Sequence, residues 1–295
     1  MSILIDQGTT AIVQGITGAQ ARFDTEWCIK YGTRIVAGVT PGRGGETVHG
    51  IPVFDTVRRA VAGHAVNASV IYVPGLAVRG AALEAIAAGI KVILVTAEYV
   101  PLHDVVEIKA AAQRAGVALV GCNTNGVISA GKCKLGGVGG MNPDEMYPPG
   151  RIGICSRSGG MTAEIGLALK DAGFGVSTSV AMGGDVVTGM KMADYARSFQ
   201  ADRETDAIVV FGEPGTDNEE ELAASIRSRE ITKPVVALIA GAFQERYPPG
   251  MSFGHAAAMI TSGDESASAK RKVLAGAGAR VARALEEIPG LLRAG

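Results

Sequence analysis

The chain has 295 residues, a formal net charge of −1, 47% hydrophobic residues and only 5% aromatics, with 41 glycines. That length suits two domains of ordinary size, and small aliphatic residues with glycine must fill their cores, as in parallel sheets covered on both faces. Near-neutrality offers no global field for nucleic acid or an anionic membrane, and no run approaches the roughly 18 apolar residues of a spanning helix.

The opening residues, Met1 to Asp6, lack the basic segment and long apolar core of a secretory signal. Strands are expected at 11–14, 34–39, 68–73, 91–95 and 118–120, alternating with helices at 25–31, 56–62, 79–88 and 104–115. This β-α-β-α order implies a parallel, right-handed sheet. A glycine- and proline-rich loop is expected over 131–150. The alternation then restarts, with strands at 152–155, 175–180, 207–211 and 235–240 and helices at 162–172, 191–201, 219–229 and 266–287. The domains are therefore placed at 1–125 and 126–295. Cys28, Cys122, Cys133 and Cys155 form no CxxC pair and no zinc spacing, so they read as free thiols of a reducing, cytoplasmic compartment, and no metal site is expected.

Two turns carry the chemistry. The chain has four histidines, and His255 sits in a small-residue turn, Ser252-Phe253-Gly254-His255-Ala256, after a buried strand. Alone it reads rather as a satisfied loop histidine. The run Ile152 to Thr162, with Ser156-Arg157-Ser158-Gly159-Gly160 at its centre, is a strand entering a Ser/Gly turn and then a helix. Free N–H groups at the positive end of such a helix suit an anion. A histidine beside a helix N-terminus suits a phosphohistidine, with the imidazole taking the phosphoryl group and the helix end holding its charge. Glu213, in Phe211-Gly212-Glu213-Pro214, ends a strand and could fix the His255 tautomer; the alternative is a solvated loop acid. Met182-Gly183-Gly184-Asp185 is another strand-end turn, with no chemistry assigned. Glu219-Glu220-Glu221 reads as a solvated first helical turn.

In the first half, Gly15-Ile16-Thr17-Gly18-Ala19-Gln20-Ala21 follows a strand and opens a helix, a turn that lets backbone N–H groups approach a pyrophosphate. The second strand ends in Val39-Thr40-Pro41-Gly42-Arg43-Gly44-Gly45, without the acid that a nicotinamide ribose wants. An arginine there suits the extra phosphate of coenzyme A or NADP. Thr96-Ala97-Glu98 closes the fourth strand, where open sheets bind ligands; Glu98 could equally cap the next helix.

Taken together, these motifs resemble the α subunit of the succinyl-CoA synthetase family, nearly end to end and in one order. The most specific parts are QGxTGxQ (Gln14 to Gln20), GVTPGxGG (Gly38 to Gly45), SRSG (Ser156 to Gly159), GE (Gly212-Glu213) and GHA (Gly254 to Ala256). The resemblance implies an N-terminal Rossmann-like CoA-binding domain followed by a flavodoxin-like parallel-sheet ligase domain. It implies CoA contacts from Thr17, Gly18, Ala19, Gln20, Arg43, Thr96, Ala97 and Glu98. His255 would be the phosphorylated residue, Glu213 its orienting partner, and Ser158, Gly159 and Gly160 the phosphate cradle. The chain has no P-loop, so ATP and Mg²⁺ would be bound mainly by an ATP-grasp-type β subunit in an α2β2 assembly.

The acid-facing positions depart from the family. Cys122-Asn123-Thr124-Asn125 stands where the family reads PNCP, and Ala163 stands where it has a tyrosine. The space left by the ring and the polar Asn123, Thr124 and Asn125 favour malate, which carries one hydroxyl more than succinate. The malate–CoA ligases of the family are the nearest resemblance, giving malate + ATP + CoA → malyl-CoA + ADP + phosphate, with a succinyl-CoA synthetase α subunit as the alternative. Two other classes compete: an NADP-dependent oxidoreductase and a CoA-responsive binding protein.

Overall fold

The computed structural model describes residues 2–294. The first unit comprises β1 (Thr10–Gln14), α1 (Ala19–Lys30), β2 (Arg34–Val39), β3 (Thr47–Val48), β4 (Ile51–Phe54), α2 (Val57–Val61), β5 (Ala68–Ile71), α3 (Val78–Ala87), β6 (Val92–Val95), α4 (Leu102–Ala115) and β7 (Ala118–Val120). Its strands lie in the order β3-β4-β2-β1-β5-β6-β7. All pairings are parallel except the short β3–β4 ribbon. β1 and β5 are buried along their whole length, which is why they read as apolar runs rather than alternating ones. The chain winds outward from β1 in both directions, so a crevice opens beyond its carboxyl end.

The second unit comprises β8 (Gly126–Ser129), β9 (Cys133–Gly136), α5 (Pro143–Met146), β10 (Pro149–Ser156), α6 (Gly159–Asp171), β11 (Val176–Ala181), α7 (Met192–Ala201), β12 (Ala207–Gly212), α8 (Asn218–Arg227), β13 (Val235–Ile239), α9 (Ala267–Ala277), β14 (Arg280–Ala282) and α10 (Ile288–Arg293). Its order is β14-β13-β12-β10-β11-β8-β9. The five strands β10 to β14 are parallel and wound as in flavodoxin, with the reversal between β10 and β12. The hairpin β8–β9 adds antiparallel strands at one edge. Both sheets are thus parallel-dominant α/β layers, as the alternation of elements implied.

Three expectations are corrected. The 131–150 segment is not a continuous loop: Cys133–Gly136 pairs with β8 across a tight turn. The expected helix over 266–287 stops at Ala277, where Gly278 takes φ +102, and an edge strand and a second helix follow. The first helix begins at Ala19 rather than near residue 25, because the glycine turn runs directly into it.

One apolar cluster runs through both units, joining α1 and the first sheet to β9 and the face of the second sheet covered by α7, α8 and α9. Separate clusters line the other face of each sheet. Polar contacts reinforce the joint: Thr33 Oγ1 donates to the Lys134 carbonyl at 2.7 Å and accepts from its N–H at 3.0 Å. All four cysteines are free and buried. Among the described residues no helix is long and apolar enough to cross a membrane.

Candidate active site

Glu213 follows the last residue of β12, and His255 sits in the long loop between β13 and α9. An isolated antiparallel bridge, Ser252 to Met259, closes that loop. Phe253 anchors it, with its ring centroid 5.2 Å from Phe243 and 4.9 Å from Tyr247. The imidazole rests on Gly184: a Cβ there would lie 2.5 Å from the ring, so no larger residue fits without moving the histidine. Nδ1 lies 3.0 and 2.8 Å from the two carboxylate oxygens of Glu213. An ionised carboxylate only accepts, so Nδ1 carries the proton and Nε2 is the nitrogen left with a lone pair. The Glu213 hydrogen bond raises the His255 pKa above its ordinary value, partial burial opposing it.

Glu213 is itself held in place. Arg157, the residue after β10, is fully buried, with its Nε 3.8 Å from Glu213 Oε2. Its Nη1 donates to Thr216 Oγ1 at 2.9 Å and its Nη2 to the Asp185 carbonyl at 3.2 Å. The Glu213 N–H donates to Glu219 Oε1 at 3.3 Å. Glu219 is wholly buried and paired with Lys270 Nζ at 2.7 Å, and that ammonium also donates to the Thr216 carbonyl at 2.8 Å. The reading of Glu219 as a solvated residue is therefore corrected. It forms a buried ion pair, and Gly212 is a glycine because a Cβ would meet Glu219 Oε1 at 2.2 Å.

A cavity of about 520 Å³ lies against His255, lined also by Glu98, Tyr99, Asn123 and Asp185. It brings the carboxyl ends of β6 and β11 together with the histidine loop, so Glu98, expected on the CoA side, and Asn123, expected on the acid side, face one space. Asp185 has a pKa raised by burial and by Glu98, while Asn123 Nδ2 donates to its Oδ1 at 3.4 Å.

Ser158, Gly159 and Gly160 open α6 beside this site. Ser158 is the N-cap, its Oγ accepting from Met161 N–H at 3.5 Å. Asn125 packs on Gly159, where a Cβ would stand 2.6 Å from its own Cβ. Thr124 corrects an expectation: it is buried, its hydroxyl donates to the Ala181 carbonyl and accepts from Gly126 N–H, and it has no hydroxyl to offer a substrate. Ala163 lies half-buried in the second turn of α6, apart from the cavity lining.

On the first sheet, Gly15 takes φ +79 and packs so closely on the Tyr72 backbone that a Cβ would lie 3.1 Å from it. Gly18 caps α1 without any side-chain hydrogen bond, which leaves the first-turn N–H groups at Ala19 and Gln20 open. Thr17 Oγ1 donates to Thr40 Oγ1 at 3.3 Å. Arg43 stands in solvent with Nη2 2.8 Å from Glu46 Oε2. Thr96 Oγ1 donates to the Ile71 carbonyl at 2.9 Å, with Ala97 and Glu98 next along the edge. Arg157, Asp185, Glu219 and Lys270 were missed as site residues. Arg157 carried a signal in its place inside the SRSG turn and Asp185 in its strand-end turn, while Lys270 carried none.

Residues 6–99 match the CoA binding domain family and residues 155–280 the CoA-ligase family. The succinate–CoA ligase [ADP-forming] subunit alpha 2 of Archaeoglobus fulgidus is 44% identical over 292 residues, 99% of each chain. An ADP-forming sulfoacetate–CoA ligase subunit of Bilophila wadsworthia is 38% identical, over 100% of this chain and 99% of its own. The ATP citrate lyase of Methanothrix soehngenii, solved with citrate and coenzyme A, superposes with TM-score 0.91 at 26% identity; it covers 99% of this chain, which spans 50% of that longer one. Fold and matches define a two-domain acid–thiol ligase chain built on CoA-binding and CoA-ligase units. More particularly, the chain belongs to the succinate–CoA ligase α-subunit family.

Proposed function

We propose that this chain is the α subunit of an ADP-forming ligase that joins a small dicarboxylic acid to coenzyme A through phosphorylated His255. The observation that carries this reading is the Nδ1 clamp by Glu213 beside an inter-unit cavity. It leaves Nε2 to attack the terminal phosphorus of ATP: the N–P bond forms as the bond to ADP breaks. A substrate carboxylate then takes the phosphoryl group, giving an acyl phosphate and restoring the imidazole. The CoA sulfur attacks the acyl carbon, phosphate leaves, and the thiol proton departs with it or to solvent. The N-terminus of α6, capped by Ser158, and that of α1, which has no side-chain cap, suit phosphoryl and CoA phosphate groups respectively.

The relatives are named as α or single subunits of a larger ligase, which supports a β partner carrying ATP and Mg²⁺, as an ATP-grasp chain in an α2β2 assembly. For CoA we assign Thr17, Gly18, Ala19, Gln20 and Arg43 to the phosphates and Thr96, Ala97 and Glu98 to the arm that reaches the His255 cavity. For the acid, malate is the finer proposal and succinate its direct rival. Asn123, which lines the cavity, is the polar partner left for a hydroxyl once Thr124 is removed from that role. The test is reconstitution with the partner chain, Mg²⁺ and γ-labelled ATP, followed by turnover on malate, succinate, sulfoacetate and citrate. Label on His255 is expected. Its absence overturns the mechanism, and a clear preference for succinate overturns malate alone.

A further inference from the structure

Among the described residues Arg157 is the buried cation that meets the His255 pair, and neither the family match nor the sequence reading gives it a task. Its guanidinium is fully buried, yet Nε has no hydrogen-bond partner. A buried N–H of this kind costs free energy unless something else requires the group. Its other two nitrogens are committed to separate loops. Nη1 holds Thr216, in the turn that carries Glu213, and Nη2 holds the Asp185 carbonyl, in the turn that seats Gly184 against the imidazole. The unpaired Nε faces Glu213 Oε2 from 3.8 Å, the same oxygen that lies 2.8 Å from His255 Nδ1.

We propose that Arg157 is the positioning residue of the His255–Glu213 pair: it fixes the ends of β10, β11 and β12 relative to one another and sets a positive charge beside the carboxylate. The inference rests on the phosphohistidine reading above. Its chemical logic is a balance. Glu213 is needed to hold the Nδ1 proton, but a carboxylate alone favours the imidazolium, which has no lone pair to attack phosphorus. A fixed cation beside that carboxylate opposes protonation of the ring. The charges that face His255 are Glu213 and Arg157, with Asp185 and Glu98 lining the same cavity. Those that face Arg157 are Glu213, Asp185 and, deeper, Glu219, which is paired with Lys270. Removing Arg157 therefore leaves the imidazole among carboxylates only. The direction supports this balance: Arg157 lowers the affinity of His255 for its proton, while Glu213 and Asp185 raise it.

Arg157→Met, of similar length and without charge, tests both halves of the role in the reconstituted holoenzyme. The readouts are the rate of His255 labelling from γ-labelled ATP as a function of pH, and CoA binding by calorimetry. Labelling is expected to fall by about 10²-fold, the loss typical of a displaced reacting group, and its acid limb to move to higher pH. CoA binding, on the other sheet, is expected to stay within about twofold, an error-level change that also reports a folded chain. Arg157→Lys keeps the charge but not the fork, so it should recover the wild-type limb while remaining slow. Thr216→Val cuts one anchor and covers the case in which Arg157→Met fails to fold: it should slow labelling with the limb in place. Wild-type labelling by Arg157→Met overturns the proposal. So does a slow Arg157→Met whose acid limb is unmoved, which would make the arginine structural only. If the wild-type protein itself takes no label on His255, the underlying reading fails instead.

Discussion

The carboxyl edges of the two sheets are built on one topological rule, yet they prepare for ligands in opposite ways. The first offers backbone: a helix start at Gly18 with no side-chain cap, a glycine at Gly15 pressed on a neighbouring strand, and an exposed arginine paired with Glu46 three residues on. The second offers side chains locked to one another, from His255 through Glu213, Thr216 and Arg157 to Glu219 and Lys270. A surface that binds a ligand reversibly needs accessible donors and little more. A nucleophile must be aimed and its proton placed before the phosphoryl group arrives, which requires buried, mutually satisfied charges.

The sharpest way to break this contrast is His255→Ala. It should abolish labelling and turnover of the reconstituted ligase while CoA binding, measured by calorimetry, remains. Retained turnover would remove the distinction between a binding edge and a reacting edge.

The next effect is on stability. Lys270→Met leaves the Glu219 carboxylate buried without its cation, and breaking a buried pair in this way costs about 3–5 kcal/mol, read by chemical denaturation. Because the Glu213 N–H and the Thr216 carbonyl both lean on this pair, His255 labelling should fall too. The double variant Glu219→Gln, Lys270→Met removes both charges and should recover much of the stability but little of the labelling. An equal recovery of both would make the pair structural alone.

This buried layer is also where the sequence was least legible. The βαβ alternation, the glycine turn before α1, the Glu213 strand end and the small-residue turn of His255 could be read from residue type and spacing. Glu219 could not, because three successive glutamates at a helix start look solvated, and the cation that draws the first one inward lies 51 residues later. Thr124 misled for the related reason that a hydroxyl in sequence carries no sign of whether backbone already uses it. The β8–β9 hairpin was hidden because each strand has four residues and joins the sheet edge only by tertiary pairing. Glu213 and His255, 42 residues apart, were legible only because each sits in its own glycine-flanked turn; Glu219 and Thr124 carry no such local mark.

A smaller effect tests the open edge. Arg43→Ala removes a solvent-exposed guanidinium, so folding should be untouched and labelling of His255 unchanged. The dissociation constant for CoA should rise, and by less for dephospho-CoA, which lacks the extra phosphate. Equal weakening of both ligands would place Arg43 elsewhere on the nucleotide.

The smallest effect is a pH dependence of stability that the reacting edge alone should produce. The Glu213 hydrogen bond raises the His255 pKa above the value of about 6.5 expected in the unfolded chain. The folded state then binds the proton more tightly, so this pair's contribution is fully present below the unfolded value. It declines as pH rises through the folded value, where both states become neutral at the ring. Asp185 also has a raised pKa, but its window opens in the carboxylate range, below the onset of the imidazole's. Glu213→Gln keeps the shape of the side chain and removes the charge. The difference in unfolding free energy between wild type and this variant should therefore shrink as pH increases above about 6.5, measured by denaturation at a series of pH values. A difference that grows with pH would mean that Glu213 is held by Arg157 more strongly than it holds His255, and that the carboxylate belongs to the buried layer rather than to the nucleophile.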